Sequence, residues 1–386
     1  MIGEKTTMYA YQQNHRYFAQ VAEGLEEPAA EELKPLGARE IRIAYRGLYF
    51  EAQPSALYRI NYQSRLATRV IAPLVVFACH TTEVLYRRAK TLPWKEFLSA
   101  EQTLAVFANV SHSKIRHSQY AALCLKDAIV DYFREECGRR PDVERSNPDL
   151  WVSLFIENDR AAIGIDTSGG SLHRRGYRKE TVEAPMQETV AAAIIRRTEW
   201  DGSRPLYDPM CGSGTLLAEA LMHHCRIPAG ALRVRFGFER LPDFDPMRWA
   251  AVKVEADRLV RPLPPGLIAG SDIAAEAVAA ARGNLGRLPH GSGVAIRRLD
   301  FKRLEGLADR LIVCNPPYGL RLQRGGDLGG YYRAFGDFLK QRCRGSSAYI
   351  YFGNREMLKH IGLKPSWKQP LMNGGLDGRL ARFDLY

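Results

Sequence analysis

The period of the hydrophobic positions switches repeatedly along the first half of the chain. "RYFAQVA" alternates and predicts a strand over residues 16–22, "LEEPAAEELKPL" has helical spacing over 25–36, and short alternating runs predict strands at 40–45 and 47–51. A helix over 54–63 follows Pro54, and this order of elements fits a ferredoxin-like module over residues 1–64. A second α+β unit over 65–167 opens on an apolar stretch at 66–79. It continues with a helix 81–90, a strand 103–110, a helix 118–137 and a hairpin turning at Asn158-Asp159. The basic, glycine-containing run 168–184 reads as a linker.

From 185 to 386 strands and helices alternate more cleanly. Strands near 204–208, 266–271, 294–298, 310–314 and 346–352 are interleaved with helical patterns at 186–199, 215–224, 274–285 and 331–342, which predicts a parallel sheet wrapped by helices. Two strand-like runs around Asn373-Gly-Gly and Asp377-Gly predict a closing antiparallel hairpin. The stretch "FGFERLPDFDPMRW", within residues 225–262, marks an insertion before the second strand of this sheet.

Bulk composition narrows the class. With 55 Lys+Arg against 43 Asp+Glu, the net charge of +12 favours a polyanionic partner through counterion release. Seven cysteines are never spaced C-x-x-C, so neither a disulfide framework nor a zinc knuckle is indicated, and a reducing cytoplasmic compartment is expected. The longest apolar run, Val70 to Cys79, falls well short of the roughly 20 residues that span a bilayer, so a soluble protein without a membrane partner is expected.

The candidate chemistry sits at strand ends. "RPLYDPMCGSGTLLAEA" places Asp208 and Pro209 at the end of one strand. The turn Cys211-Gly212-Ser213-Gly214 follows, and Thr215 opens a helix. The run lacks both the third glycine of a dinucleotide fingerprint and the G-K-[ST] of a P-loop. A strand-end carboxylate repels phosphate but suits a ligand carrying an ammonium or sulfonium charge. Asp272, followed by Ile273, ends the next strand where ribose hydroxyls need an acceptor, and Asp300, followed by Phe301, ends the third where an adenine amine would lie. Three acids around one glycine turn describe a pocket for S-adenosylmethionine.

"VCNPPYGLRL" follows the fourth strand. Pro316 and Pro317 stiffen the loop and remove two N–H donors. The Asn315 side-chain oxygen and the Pro316 carbonyl can then accept from a planar exocyclic amine, and Tyr318 can stack on the base that carries it. In the first half, Ser111, His112, Lys114, Arg116 and His117 precede a helix that carries Lys126, and the linker adds Arg174, Arg175, Arg178 and Lys179 around Tyr177. Basic groups beside a helix start and an aromatic suit RNA. His112 and His117 lack a ligand-spaced partner, so no metal is expected.

"DPMCGSGTLLAEA", "GSDI" and "NPPYG" resemble the class I S-adenosylmethionine-dependent amino-methyltransferases. "LHRRGYRKETVEAPMQETVAAAIIRR" resembles the THUMP-domain guanine-N2 methyltransferases, whose nearest likeness here is the guanine-N2 half of the bacterial large-subunit rRNA enzymes and its stand-alone relatives. The resemblance implies a THUMP RNA-binding domain over 65–167 and a Rossmann-like α/β catalytic domain, with a seven-stranded, mostly parallel sheet, over 185–386. It implies cofactor contacts at Asp208, Cys211, Gly212, Gly214, Asp272 and Asp300, amine binding at Asn315 to Tyr318, and places Pro185, Gln187 and Glu188 beside the methionine end. The expected partner is ribosomal RNA, with transfer RNA as an alternative. The long rRNA enzymes carry a second methyltransferase domain after this one, whereas the chain here runs to Tyr386. NPPY serves any planar amine, so adenine-N6 transfer on DNA or RNA stays open, as does a non-catalytic RNA-binding role in ribosome assembly.

Overall fold

The computed structural model describes residues 8–179, 186–318 and 327–386. Its first sheet has eight strands: β1 (Arg16–Val21), β2 (Arg39–Ala44), β3 (Gly47–Glu51), β4 (Ala67–Ala78), β5 (Thr103–Ser111), β6 (Asp142–Val143), β7 (Leu150–Glu157) and β8 (Arg160–Asp166). They lie in the order β2-β3-β1-β4-β8-β7-β5-β6. Helices α1 (Ala10–Asn14), α2 (Glu26–Leu33) and α3 (Pro54–Gln63) belong to its first part, and α4 (Thr82–Lys90) and α5 (Ser118–Cys137) to its second. Local chemistry sets several boundaries. Pro54 starts α3, Gly138 at φ 69° ends α5, and Asn158 and Asp159, both at positive φ, make the tight hairpin turn between β7 and β8. The patterning divides this half into two modules, but the 12-residue β4 pairs with β1 on one side and β8 on the other, so the sheet is continuous.

The second sheet comprises β9 (Leu206–Asp208), β10 (Ile268–Asp272), β11 (Ala295–Arg298), β12 (Leu311–Cys314), β13 (Ser347–Phe352), β14 (Trp367–Asn373) and β15 (Leu376–Asp384). The order is β11-β10-β9-β12-β13-β15-β14, with β9 to β13 parallel and the β14–β15 hairpin antiparallel at one edge. Helices α6 (Glu188–Arg197), α7 (Thr215–His224), α8 (Pro246–Asp257), α9 (Ala275–Leu285) and α10 (Leu328–Arg342) complete this half. All of β13 and nearly all of α7 are buried, as a parallel sheet covered on both faces requires. Strand β9 is followed in sequence by its neighbour on one side, β10, while β12 lies on its other side. The chain therefore reverses direction across the sheet at β9, and a crevice opens there at the carboxyl ends of the strands.

The insertion at 225–262 packs back on the first half. Helix α8 lies along α3, where the Tyr62 hydroxyl donates to Asp257 at 2.6 Å and Arg59 pairs with Glu255 at 3.1 Å. Tyr11 donates to Asp243 at 2.6 Å, and Arg235 binds Asp149 at 2.7 Å. Phe238 is fully buried with its ring centroid 4.6 Å from Tyr58 and 5.2 Å from Trp249. Only glycine fits at 237, because a Cβ there would lie 1.9 Å from the Asp166 carbonyl oxygen.

Of the run 168–184 that reads as a linker, the described residues 168–179 pack as a bridge between the halves, and 180–184 lie outside the described residues. Thr167, Ser168, Leu172, Arg175 and Tyr177 are all buried. Arg233 from the insertion donates to the carbonyl oxygens of Ser168, Gly169 and Gly170.

Candidate active site

Four successive elements bring their chemistry to the crevice. Asp208 ends β9 and is 2 % exposed, with Oδ1 accepting from the Met210 N–H at 3.0 Å. Burial, with a smaller contribution from the nearby Asp272 carboxylate, pushes its carboxyl up to about 8. Gly212 and Gly214 take left-handed φ values of 53° and 81°, which bend the chain sharply into α7. A Cβ on Gly214 would stand 3.2 Å from Ala281 of α9, so the turn needs glycine for packing as well as for conformation.

Asp272, at the end of β10, holds the glycine turn in place. Its Oδ2 accepts from the Gly212 N–H at 2.9 Å and its Oδ1 from Ala274 N–H at 3.0 Å. Each oxygen keeps capacity for a further donor such as a hydroxyl. Ile273 beside it is 63 % exposed, an apolar side chain on the rim of the crevice. Asp300, beyond β11, caps a short 3-10 turn through Lys302 N–H at 3.1 Å, and Phe301 is buried against Tyr331 and Phe335.

The NPPY loop leaves β12. Oδ1 of Asn315 is a buried oxygen with no hydrogen-bond donor among the described residues. Such an atom is costly unless a ligand completes it. Pro316 is buried, and the Pro317 carbonyl accepts from the Tyr332 hydroxyl at 3.4 Å. The Tyr318 ring lies against Gly353 at the end of β13, so closely that a Cβ there would come within 2.5 Å of it. Cys211 and Cys314 flank this region, and burial raises both thiols well above their ordinary range, so neither supplies a thiolate nucleophile at neutral pH.

The start of α6 closes the other wall. Pro185 lies outside the described residues. The Gln187 N–H donates to Asn373 of the terminal hairpin at 3.1 Å, and Glu188, 3 % exposed, is raised by burial although Arg178 beside it pulls the other way. Arg178 itself, expected on an RNA-facing surface, points inward instead. Its Nη2 donates to the Met186 carbonyl at 2.8 Å and to Thr215 Oγ1 at 2.9 Å, and it stands 3.5 Å from Glu188.

Two further expectations need correction. Arg175 and Tyr177 cannot form an RNA surface, because both are buried. Arg175 pairs with Glu219 of α7 at 3.2 Å and donates to the carbonyls of Leu172 and Arg65. Among the other basic residues, Lys114, Arg116 and His117 are exposed at the start of α5, where Asp159 holds the loop by accepting from the Lys114 N–H and Ser113 hydroxyl. Arg174 is exposed as well, while Lys126 is half-buried and paired with Asp127. Asn284, inside an alanine-rich helix with no sequence signal of function, bonds to Ser213 O at 3.1 Å and to Lys179 N–H at 3.1 Å, tying the glycine turn to the bridge. Among the described residues no cluster of His, Cys, Asp and Glu could hold a metal, and no helix is long and apolar enough to cross a membrane.

A glycine turn at a topological switch point, acids on three strand ends and an amine-accepting loop on the fourth define a class I S-adenosylmethionine-dependent methyltransferase. The chain belongs to the RMKL-like methyltransferase family, whose catalytic domain it matches over residues 175–382, with a THUMP domain over 79–166 and an RlmL ferredoxin-like domain over 16–71. It is 38% identical over 371 residues to slr0064 of Synechocystis sp., a protein named as an RNA methyltransferase, covering 96% of this chain and 97% of that one. It is 37% identical to the ribosomal RNA large subunit methyltransferase K/L of Photobacterium profundum, covering 94% of this chain but 52% of that protein, so the chain spans about half the length of such relatives. SMU.472, named as a methyltransferase and crystallised with S-adenosylhomocysteine, superposes with a TM-score of 0.82 at 27% identity over 97% of this chain and 98% of that one.

The residues present fit the cofactor. Acids at the ends of β9 and β10 suit its cationic sulfonium and its ribose hydroxyls, and the buried Asn315 oxygen has capacity for a donor that no described residue supplies.

Proposed function

We propose that the protein methylates the exocyclic N2 amine of a guanine in structured RNA, the 23S ribosomal RNA of the cytoplasmic large subunit being the substrate. The observation that carries the amine reading is the buried, unpartnered Asn315 Oδ1 on a loop stripped of two backbone donors. With the Pro316 carbonyl, it accepts the two N–H groups of a planar amine, and the nitrogen lone pair is left to face the methyl group. Tyr318, braced on Gly353, stacks on the base. The bound cofactor supplies an electrophilic methyl on sulfur.

No strong base is required of the chain. The methyl would leave sulfur, which would keep the bonding pair, as the amine lone pair takes it; the nitrogen would become acidic in doing so and its proton could pass to water, so the task of Asn315 and the Pro316 carbonyl would be orientation. A base inside a duplex cannot reach this pocket, so the target must be flipped out or already unpaired. Exposed Lys114, Arg116, His117 and Arg174 are the groups available to grip the surrounding phosphates. The THUMP domain and the rRNA enzymes among the relatives support RNA over DNA.

Labelled cofactor incubated with protein and either ribosomal RNA, transfer RNA or DNA tests this substrate. Label is expected in ribosomal RNA stripped of its natural modifications. Label confined to DNA would favour the adenine-N6 reading, which the same loop chemistry serves, and cofactor binding without transfer to any of the three would favour a non-catalytic RNA-binding role.

A further inference from the structure

Helix α7 begins at the glycine turn, and its other end is held by the first half of the chain. Arg65, two residues before β4, donates through Nη2 to the carbonyl oxygens of Met222 and Ile227, each at 2.7 Å, at the carboxyl end of the helix. A helix end leaves such carbonyls without partners and favours a cation beside them. Glu219, one turn in from Thr215 and fully buried, meets two arginines. Its Oε1 accepts from Arg175 Nε at 3.2 Å, while its Oε2 stands 3.8 Å from Arg65 Nη1. Neither that Oε2 nor that Nη1 has a hydrogen-bond partner among the described residues. A carboxylate and a guanidinium that satisfied each other would meet at about 2.7–2.9 Å, so this ion pair is left about 1 Å open. A cavity of about 100 Å³, lined by both side chains with Glu32, Arg196 and His223, gives the pair room to move.

The same arginine is tied to the RNA-facing loop. Glu32 of α2 fixes its backbone by accepting from the Ser64 hydroxyl at 2.7 Å and from the N–H groups of Arg65 and Leu66 at 3.0 and 3.1 Å. The 12-residue β4 then runs to Cys79, whose N–H donates to the Asp159 carbonyl at 2.7 Å. Asp159 in turn holds the loop of Lys114 through its side chain. A strand roughly 40 Å long thus has the loop anchored at one end and the hold on α7 at the other. Building on the proposed action on structured RNA, we propose that Arg65 and Glu219 are positioning residues that couple RNA binding on the first half to the cofactor turn. RNA gripped at the Lys114 loop favours the closed ion pair, and the closed pair fixes α7 and the glycine turn from which it starts.

Burial gives this pair its leverage. An enclosed carboxylate with one oxygen unmet is costly, and closing the gap replaces that cost with a charge-assisted bond. The neighbouring charges are engaged elsewhere. Arg175 is committed to Glu219 Oε1 and to two backbone carbonyls, Glu32 to its three donors, and Arg196 pairs with Glu31 at 3.7 Å. His223 is held neutral, since burial and the nearby Arg65 push its imidazole down to about 4. Arg65 Nη1 is therefore the donor placed to complete Glu219 Oε2. A ligand that orders α7 lowers the cost of ordering it for the other ligand, and the effect is reciprocal.

Calorimetry of S-adenosylhomocysteine with the protein alone and with a saturating transcript of large-subunit ribosomal RNA tests the coupling, beside filter binding of the transcript with and without S-adenosylhomocysteine. In the wild-type protein each ligand is expected to tighten the other by about fivefold or more, and by the same factor. Arg65→Met and Glu219→Gln should each bring that factor below about twofold, and Arg65→Lys, which keeps the charge, should retain part of it. The factor is a ratio within one protein, so a general loss of affinity or stability cancels. Should Arg65→Met fail to fold, Glu219→Gln, which keeps the shape and an oxygen for Arg175, decides. Independent binding in the wild-type protein, or full coupling in the folded variants, would mean that the two residues only brace the halves, and would overturn the proposal. Wild-type protein that bound S-adenosylhomocysteine but no RNA would overturn the action on RNA and the coupling with it.

Discussion

Asn315 and Asp208 are incomplete in opposite ways. Asn315 offers an oxygen that no described residue satisfies, so its amide is expected to act on the acceptor base alone. Asn315→Ala should lower kcat by orders of magnitude, about 3 kcal/mol or more, and leave cofactor affinity within about twofold; single-turnover rates beside calorimetry would check the split. Asp208 is incomplete in charge. Its carboxyl stays protonated below about 8 because burial penalises the anion, and a cationic cofactor favours the anion. Binding below that pH must therefore expel a proton, so affinity for S-adenosylmethionine should rise with pH, by up to about tenfold per unit between about pH 6 and about pH 7.5. Asp208→Asn should bind more weakly and lose most of that slope, and a flat profile in the wild-type protein would count against the assignment.

At the scale of elements, the insertion acts as a mortise. Its Phe238 is surrounded by Tyr58 from α3, Phe236, and Trp249 from α8, a contact between the two halves rather than within one. Phe238→Ala is expected to cost about 3–5 kcal/mol, seen as a lower denaturant midpoint. Such a variant should also loosen the coupling between the halves, with faster hydrogen exchange in α3 and α8 before global unfolding.

Most elements were legible in the sequence where the signal is local. Helices α3, α5 and α7 have the bounds expected from Pro54, Gly138 and the glycine turn, and Asp208 and Asp272 end β9 and β10 while Asp300 follows β11 by two residues. What escaped was nonlocal. Helix α8 packs on a helix some 190 residues earlier in the chain, and only that contact explains its sparse apolar face. The run "HRRGYR" reads as surface because arginine and tyrosine often are. The burial of Arg175 within it depends on Glu219, 44 residues downstream, and on Arg65, 110 residues upstream. Nothing near Asn284 or Gly353 marks them as supports of the glycine turn and the Tyr318 ring, since both roles arise only when strands and helices assemble.

For the whole molecule, the net charge of +12 sets long-range attraction to RNA, and the locked halves set where that RNA can reach. Replacing Lys114 and Arg116 together by alanine is expected to weaken RNA binding uniformly across sequences and to reduce the slope of log affinity against log salt by about 1 to 2. Cofactor affinity, governed by the crevice, should be unchanged, which a filter-binding salt titration beside calorimetry would show. The proposed function has a rigid amine clamp receive a guanine presented by the RNA-binding half. Its most direct test is mass spectrometry of nucleosides from large-subunit ribosomal RNA methylated by this protein. N2-methylguanosine at a single position, absent with Asn315→Ala, is the expected result; N6-methyladenosine in its place would contradict it.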